Sequence, residues 1–235
     1  MKKVFFAAFC CFVILLSGCK KSNSQIMKLQ KLEEGVASPS SPEELKAAIQ
    51  KYQDRVADIQ LANSQIGIWY KLLGTRYLEK RMYGEALNAY QNALKFYPDN
   101  QNLYFYVGLC AGYMAHTALG NEIEKSKYLS IAEEAQLRAL QIEPRYTRAL
   151  YAIGILYVIE LGECDKAIPH LEKLLTIDTK DTDAMFLLAR AYYEEQEYDK
   201  AAALYDKIMV TAKSEQKKEE AQANKKIVLD AAYAN

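Results

Sequence analysis

The sequence predicts an all-α fold, and three observations support this prediction. From Ser41 onward, apolar residues recur at the i, i+3, i+4 and i+7 spacing of amphipathic helices, and no long alternating run of the strand type interrupts them. The 235 residues include only 10 glycines and 5 prolines, too few for the many tight turns of a sandwich or barrel. Helical features also recur with a period near 34 residues, which is typical of stacked helical units.

The composition excludes several classes of function. The chain has 30 basic and 30 acidic side chains, a formal net charge of zero, whereas binding to nucleic-acid phosphates needs a basic surplus. Its two histidines, His116 and His170, have no ligand partner at i+3 or i+4. The sequence contains neither a phosphate-binding glycine loop nor a serine in a nucleophile elbow. We therefore expect no enzyme, no metal site and no cofactor.

The first 18 residues have the features of an export signal. A basic start is followed by the apolar run Val4–Leu16, which is too short to cross a hydrocarbon core of about 30 Å. The next residues, Leu-Ser-Gly-Cys ending at Cys19, resemble the lipobox of bacterial lipoprotein signal peptides. That resemblance implies cleavage of residues 1–18 and acylation of Cys19, which anchors the protein on a membrane. The alternative is an ordinary signal peptide with a cysteine at its cleavage site.

The polar and small residues of the segment 19–41 predict a flexible tether between the anchor and the domain. Lys20 stands where an Asp is associated with inner-membrane retention in enteric bacteria. We therefore expect a lipid anchor in the bacterial cell envelope and a domain that faces the periplasm, with the outer membrane slightly favoured.

A helix is predicted directly after the tether. Ser41, Pro42 and Glu44 supply an N-cap, a first-turn proline and a capping-box glutamate. The segment 42–66 is predicted to be a helix that caps the N-terminal end of the helical stack.

Distances between equivalent small residues locate the repeats and two insertions. Gly74 and Gly108 are 34 residues apart, but Gly108 and Gly154 are 46 apart, so this interval contains a 12-residue insertion. Gly154 and Ala189 are 35 residues apart, and the single extra residue is assigned to the turn 160–165.

The residue types that recur at this period resemble the tetratricopeptide repeat (TPR), a helix–turn–helix unit. They are small residues where two helices cross, aromatic residues beside them, alanines between helices and prolines between units. These residues are Gly74, Tyr77, Ala86, Tyr90, Pro98, Gly108, Pro144, Gly154, Tyr157, Ala189, Tyr192 and Ala201. The resemblance implies a right-handed superhelix of about four units with N- and C-terminal capping helices. The expected units are 67–100, 101–146, 147–181 and 182–215, followed by a polar closing helix at 216–235.

In such a superhelix the first helix of each unit lines the inner wall. By the family register, this wall holds aromatic and aliphatic side chains together with three cations. These residues are Lys71, Phe105, Leu109, Tyr113, Arg148, Tyr151, Ile155, Phe186, Arg190 and Tyr193. They are expected to form a groove for a protein partner, a site where an arginine holds the carboxylate of a small apolar ligand, or part of the core.

The 12-residue insertion is expected to form a hairpin, residues 113–128, that projects beyond its neighbours. The helix before it continues to Leu119, and Gly120 and Asn121 break that helix. The hairpin would contact a partner or a second copy, with Met114 and Leu119 exposed, or it would pack on the long N-terminal helix.

Two cysteines remain outside the signal and the anchor. Cys110 occupies a small-residue position in a helix and is expected to be a buried free thiol, whereas Cys164 lies in an inter-helix turn and is expected to be more exposed. His170 follows Pro169 at a predicted helix start and is expected to be a surface or capping residue.

These features predict a membrane-anchored bacterial TPR lipoprotein that acts as a protein–protein interaction scaffold for another envelope protein. The alternative is an accessory lipoprotein of a periplasmic-binding-protein transport system that binds a small apolar ligand.

Overall fold

The computed structural model describes residues 41–118 and 120–234. The predicted signal peptide, the lipidation site Cys19 and nearly all of the predicted tether lie outside the described residues, as does Leu119 in the predicted hairpin.

Nine α-helices and one π-helical turn form the regular structure of the described residues, which contain no strand. The helices are α1 (Pro42–Glu79), α2 (Tyr83–Leu94), α3 (Gln101–Thr117), α4 (Glu122–Ile142), α5 (Thr147–Ile155), α6 (Cys164–Ile177), α7 (Thr182–Glu194), α8 (Tyr198–Thr211) and α9 (Glu215–Ala234). Each helix from α2 to α9 packs on the next along the chain. The predicted all-α fold is confirmed.

Residue contacts divide the chain into two compact units, Met1–Leu61 and Ala62–Asn235. None of the described residues of the first unit is buried. The second unit contains the buried core of the described residues, in which alanines and aromatic side chains pack together along the stacked helices.

Helix α1 begins as the sequence predicts but does not end there. The Ser41 hydroxyl accepts the Glu44 N–H at 3.2 Å, and the Glu44 carboxylate accepts the Ser41 N–H at 3.3 Å, which completes a capping box. A capping helix was expected to end at residue 66, yet α1 continues without a break to Glu79. Gly67 is buried inside this helix, where a Cβ would lie 2.5 Å from the ring carbon Cε2 of Tyr97.

The small residues of the repeat lie where neighbouring helices come closest. A Cβ at Gly74 would be 2.9 Å from the ring of Tyr90, and one at Gly154 would be 2.5 Å from Leu171 Cδ2. The other residues predicted to pack between helices are also placed at these contacts or at the turns. Ala86, Tyr90, Tyr157, Ala189, Tyr192 and Ala201 are buried, Tyr77 is half-buried, and Pro98 and Pro144 are exposed in turns.

The turns inside the first and fourth units share one geometry. Arg81 and Gln196 have left-handed backbones, with φ of 58° and 63°, and each lies four residues after a repeat tyrosine, Tyr77 or Tyr192. The carbonyl of that tyrosine accepts the N–H of the residue after the left-handed one, at 2.9 and 2.8 Å. This is the bond of a Schellman motif, which ends a helix by satisfying its last carbonyls.

The third unit has the same turn with one residue more. Gly162 is its left-handed residue, with φ of 68°, and it lies five residues after Tyr157 instead of four. The extra residue therefore lies between Tyr157 and Gly162, within the π-helical turn Leu156–Leu161. A π-helical turn accommodates it because i→i+5 bonding takes one more residue per turn than α-helical bonding. The sequence assigned this residue to the turn 160–165, whereas the structure widens the helix before the turn.

The inserted hairpin breaks at Gly120 and Asn121, between α3 and α4, and the Asn121 side chain accepts the Glu124 N–H at 3.1 Å. The ring of Tyr113 stacks on Tyr83, with centroids 4.4 Å apart. Met114 was expected to be exposed and is half-buried.

Cys164 and His170 are more enclosed than the sequence suggested, whereas Cys110 is placed as expected. Cys110 is fully buried as expected, and burial raises the pKa of its thiol to about 12. Cys164 was expected to be exposed but is only 3% exposed, because α6 begins at this residue and directs it into the core. His170 is half-buried and stacks on Tyr157, and burial lowers its pKa. Pro169 lies inside α6 and not at its start.

Candidate functional site

The ten predicted inner-wall residues lie in different surroundings. One cavity is lined by four of them, Tyr151, Phe186, Arg190 and Tyr193, and a second cavity is lined by Leu109, Tyr113 and Ile155. Phe105 and Arg148 stack in an aromatic cluster. Lys71 is exposed on α1 and lines neither cavity.

The first cavity has a volume of about 530 Å³ and lies among α5, α7, α8 and α9. Phe186, Arg190 and Tyr193 reach it together because positions i, i+4 and i+7 share one face of α7, and Tyr151 reaches it from α5. Helix α9 forms the opposite wall. Its residues at the cavity are Lys217, Glu220, Asn224, Ile227 and Val228.

Charged groups of both signs surround the aromatic side chains of this cavity. The Lys217 ammonium lies 2.6 Å from a carboxylate oxygen of Asp183 and 3.1 Å from the Thr182 hydroxyl, which fastens α9 to the start of α7. The Arg190 side chain is exposed at the cavity. Its planar guanidinium presents donors that match a carboxylate.

The hydroxyls of Tyr151 and Tyr205 at the cavity stay protonated at neutral pH. Burial raises the pKa of Tyr151, and the carboxylates of Asp183 and Asp181 raise it further. Burial also raises the pKa of Tyr205, as does Glu220, while Arg190 acts in the opposite direction. The cavity therefore offers hydroxyl donors and acceptors, an arginine and apolar surface within one space.

The second cavity, of about 210 Å³, lies between α3 and α5 and is mostly apolar. Leu109, Tyr113 and Ile155 are among its walls. Gln136 also lines it, and its side-chain N–H donates to the Phe105 carbonyl at 3.2 Å. The Gln136 oxygen is buried and has no hydrogen-bond partner among the described residues.

A histidine–carboxylate contact lies at the edge of the second cavity. His116 Nε2 is 2.8 Å from Glu160 Oε1, so the hairpin helix α3 is joined to the π-helical turn. The sequence did not reveal this contact because the two residues are 44 positions apart and the widened turn sets the direction of Glu160.

Phe105 and Arg148 belong to a packed cluster. Phe105 is only 6% exposed, and the Arg148 guanidinium carbon lies 4.2 Å from its ring centroid and 5.2 Å from that of Tyr106. Tyr146 meets Phe105 edge to face at 5.8 Å. Truncation of Phe105 would damage the core, so Phe105 is unsuitable as a probe of partner binding.

The contribution of α9 to the first cavity was missed from the sequence, where this helix was judged only polar. A signal was present, because Lys217, Glu220, Asn224 and Ile227 follow the i, i+3, i+7, i+10 spacing of one helix face.

The described part of the chain shows neither a metal-binding cluster nor a membrane-spanning helix. No group of three or more His, Cys, Asp or Glu side chains there is arranged to hold a metal ion. None of the described helices is both long and apolar enough to cross a bilayer.

Comparison with known proteins agrees with the repeat geometry. Residues 158–217, which span parts of the third and fourth units, match the sequence profile of the tetratricopeptide repeat family. A TPR repeat-containing protein of Borreliella burgdorferi is 27% identical over 201 residues, which cover 85% of this chain and 87% of that protein. Residues 158–217 therefore match the tetratricopeptide repeat, and the chain is similar to a TPR protein over most of its length.

Solved TPR structures share the fold. A thermophilic TPR protein of Thermus thermophilus superposes with a TM-score of 0.55 at 20% identity, over 88% of this chain and 98% of the other. The TPR protein YrrB, described as having an unusual peptide-binding site, superposes with a TM-score of 0.55 at 22% identity, over 78% and 86%. These similarities confirm the TPR solenoid predicted from the 34-residue period.

Proposed function

We propose that this protein is a lipid-anchored TPR scaffold of the bacterial cell envelope that holds a segment of another envelope protein in the cavity between α7 and α9. The observation that carries the proposal is the convergence of Tyr151, Phe186, Arg190 and Tyr193 on one cavity of about 530 Å³. Aromatic side chains and arginine supply much of the binding energy at protein interfaces.

The chemistry of the cavity suits a peptide. Backbone amides of an extended segment need donors and acceptors, which the hydroxyls of Tyr151 and Tyr205 and the side chain of Asn224 offer. Arg190 pairs with a carboxylate, and Phe186 packs against an apolar side chain. YrrB, a protein of the same fold, binds a peptide according to its description, which supports this use of the fold.

Site-specific photocrosslinking in intact cells tests the site. A benzophenone amino acid replaces Tyr193 in the cavity, and in a matched control it replaces Val210, which is 85% exposed and lines neither cavity. We expect an adduct with an envelope protein from position 193 alone, and we expect Arg190→Glu to abolish it. Equal adducts from both positions, or none from position 193, would contradict the proposal.

The anchor is tested separately. The resemblance of residues 16–19 to a lipobox supports acylation at Cys19. We expect radiolabelled palmitate to enter the wild-type chain but not Cys19→Ala, and the labelled protein to sediment with membranes, the outer membrane slightly favoured. Label in Cys19→Ala, or an unlabelled wild-type chain, would refute the anchor and leave the cavity proposal standing.

A second candidate function is binding of a small apolar acid, as in the accessory lipoproteins of periplasmic-binding-protein transport systems. Closure of one side of the cavity by α9 and the position of Arg190 favour it. The carboxylates of Asp183, Glu194 and Glu220 at the same cavity disfavour a small acid. Native mass spectrometry of the purified chain separates the two, because only this second function predicts a small molecule that leaves on denaturation.

A further inference from the structure

The second cavity contains an enclosed carboxylate, that of Glu160. This side chain lies on the π-helical turn and is only 12% exposed. Its oxygen Oε1 lies 2.8 Å from His116 Nε2, and no lysine or arginine among the described residues forms an ion pair with it. A carboxylate taken out of water is costly unless a cation or several hydrogen-bond donors surround it. Glu160 can therefore take a further, positively charged partner.

The Gln136 amide gives the same cavity a second uncommitted acceptor. Its N–H donates to the Phe105 carbonyl at 3.2 Å, whereas its oxygen is buried and has no hydrogen-bond partner among the described residues. Gln136 lines the cavity and is 2% exposed. An unpaired oxygen leaves the negative end of the amide dipole uncompensated in a region of low dielectric. Both polar groups that remain therefore favour a ligand that donates hydrogen bonds and carries positive charge.

The other walls of the second cavity select an apolar body and disfavour an anion. None of the described residues that line it is a lysine or an arginine. Leu109, Ile155 and Leu156 supply aliphatic surface, and Tyr113 supplies an aromatic ring. Burial of apolar ligand surface against such walls is favourable, and aromatic rings also attract ammonium groups. The cavity therefore suits a molecule with a cationic head and an apolar body.

Gly112 keeps space open in this cavity. It lines the cavity, and a Cβ at this position would meet no atom within 4 Å, in contrast to Gly74 and Gly154. Helix packing therefore does not require this glycine, although a glycine inside a helix costs about 1 kcal/mol relative to alanine. The cavity volume of about 210 Å³ exceeds the roughly 150 Å³ of a cavity that holds benzene. A six-membered ring with a short aminoalkyl chain fits this space.

We propose that the second cavity binds a small primary amine, with the ammonium group at Glu160 and a ring-sized apolar body between α3 and α5. The two cavities share no lining residue, so this inference goes beyond the proposed partner binding and does not depend on it. The ligand also differs from the small apolar acid of the second candidate function, because its charge is opposite.

Calorimetric titration of the purified full chain with three probes tests the charge preference. The probes are 2-phenylethylamine, 2-phenylethanol and 3-phenylpropanoate, which share a phenyl ring and a two-carbon chain and differ in the charge of the end group. We expect the amine to bind at up to millimolar concentrations, roughly tenfold more tightly than the alcohol, and the carboxylate not to bind, because charge-assisted hydrogen bonds are the stronger ones.

A matched pair of variants locates the charge. Glu160→Gln keeps the size of the side chain and removes its charge, so the affinity for the amine should fall to that for the alcohol. Glu134→Gln removes the same charge from an exposed position of α4 that does not line the cavity, and the affinity for the amine should not change.

Gly112→Leu tests whether the space is the binding site. A helical side chain leans over the turn before it, here towards Gly108, which lines the same cavity. We expect Gly112→Leu to keep its helical content and to lose binding of the amine. If this variant does not fold, Gly112→Ala should weaken binding severalfold. Equal binding of amine and alcohol, no binding of either, or unchanged amine affinity in Glu160→Gln or in a folded Gly112 variant would overturn the site.

Discussion

The same substitution at two helical glycines should change stability in opposite directions. Gly112 in α3 and Gly154 in α5 both become alanine, which removes the same backbone entropy from the unfolded chain and adds about 0.8–1 kcal/mol of helix propensity in each case. A Cβ at Gly112 meets no atom within 4 Å, so Gly112→Ala should stabilise the protein by about 0.5–1 kcal/mol.

At Gly154 the new methyl group has no room. It would lie 2.5 Å from Leu171 Cδ2 and 2.9 Å from Cγ, and Leu171 is 0% exposed, so its side chain cannot move into solvent. Overpacking of this kind costs about 1–3 kcal/mol, which exceeds the gain in helix propensity over most of that range. We expect Gly154→Ala to destabilise the protein by up to about 2 kcal/mol.

Thermal and chemical denaturation of the two variants measure the difference directly. The gain in helix propensity is the same in both variants, so their free energies of unfolding should differ only by the cost of overpacking, about 1–3 kcal/mol. For a chain of this size, each kcal/mol corresponds to roughly 2–4 °C in Tm. A double-mutant cycle with Leu171→Ala, which alone costs about 2–5 kcal/mol, should show a favourable coupling because the smaller side chain makes room for the methyl group. If Gly154→Ala stabilises the protein as much as Gly112→Ala, the proposed role of the small residue at the helix crossing is wrong.

Three further predictions concern the turns, the thiols and the tyrosines. Arg81→Gly and Gln196→Gly should each stabilise the protein by up to about 1 kcal/mol, because their φ values of 58° and 63° strain a side chain, and Gly162→Ala should destabilise it by about 1 kcal/mol in the same denaturation assay. In a chain whose Cys10, Cys11 and Cys19 are replaced by serine, the buried thiols of Cys110 and Cys164 should not react with an aromatic disulfide reagent until the protein unfolds. Rapid reaction of Cys164 in the folded protein would contradict its burial. Burial and the Glu172 carboxylate raise the pKa of Tyr192 above its unfolded value near 10. The stabilisation that Tyr192 gives the folded state is therefore complete below about pH 10 and is lost as the pH rises further. Tyr192→Phe should reduce this loss of stability when denaturant midpoints are compared between pH 8 and 11.

The repeat fold was predictable because its determinants are local and periodic. The small residues Gly74, Gly108 and Gly154 mark each helix crossing directly in the sequence, and the 35-residue interval after Gly154 revealed an extra residue. The sequence did not show that a π-helical turn absorbs this residue, since a longer turn and a widened helix give the same count. The structure distinguishes them through the position of left-handed Gly162 relative to Tyr157.

The candidate site was less predictable because it depends on contacts between distant residues. Register alone placed Phe186 and Arg190 on one face of α7, which holds in the structure. It could not reveal that α9 returns to form the opposite wall, nor that Cys164 is enclosed by the start of α6. Those outcomes depend on how successive helices pack, which the period does not encode.

Equivalent positions of successive repeats show why one aromatic residue is core and the next is cavity wall. Phe105 and Tyr151 each lie three positions before the glycine of their own unit, Gly108 or Gly154. Arg148 and Asp183 each lie six positions before the small residue of the following unit, Gly154 or Ala189. Arg148 lies over Phe105 at 4.2 Å and covers it. Asp183 is instead held by Lys217 at 2.6 Å, and Tyr151 is left at the cavity. The closing helix α9 thus does more than shield the last repeat: by supplying the cation that holds Asp183, it keeps an aromatic wall open at the C-terminal end of the stack.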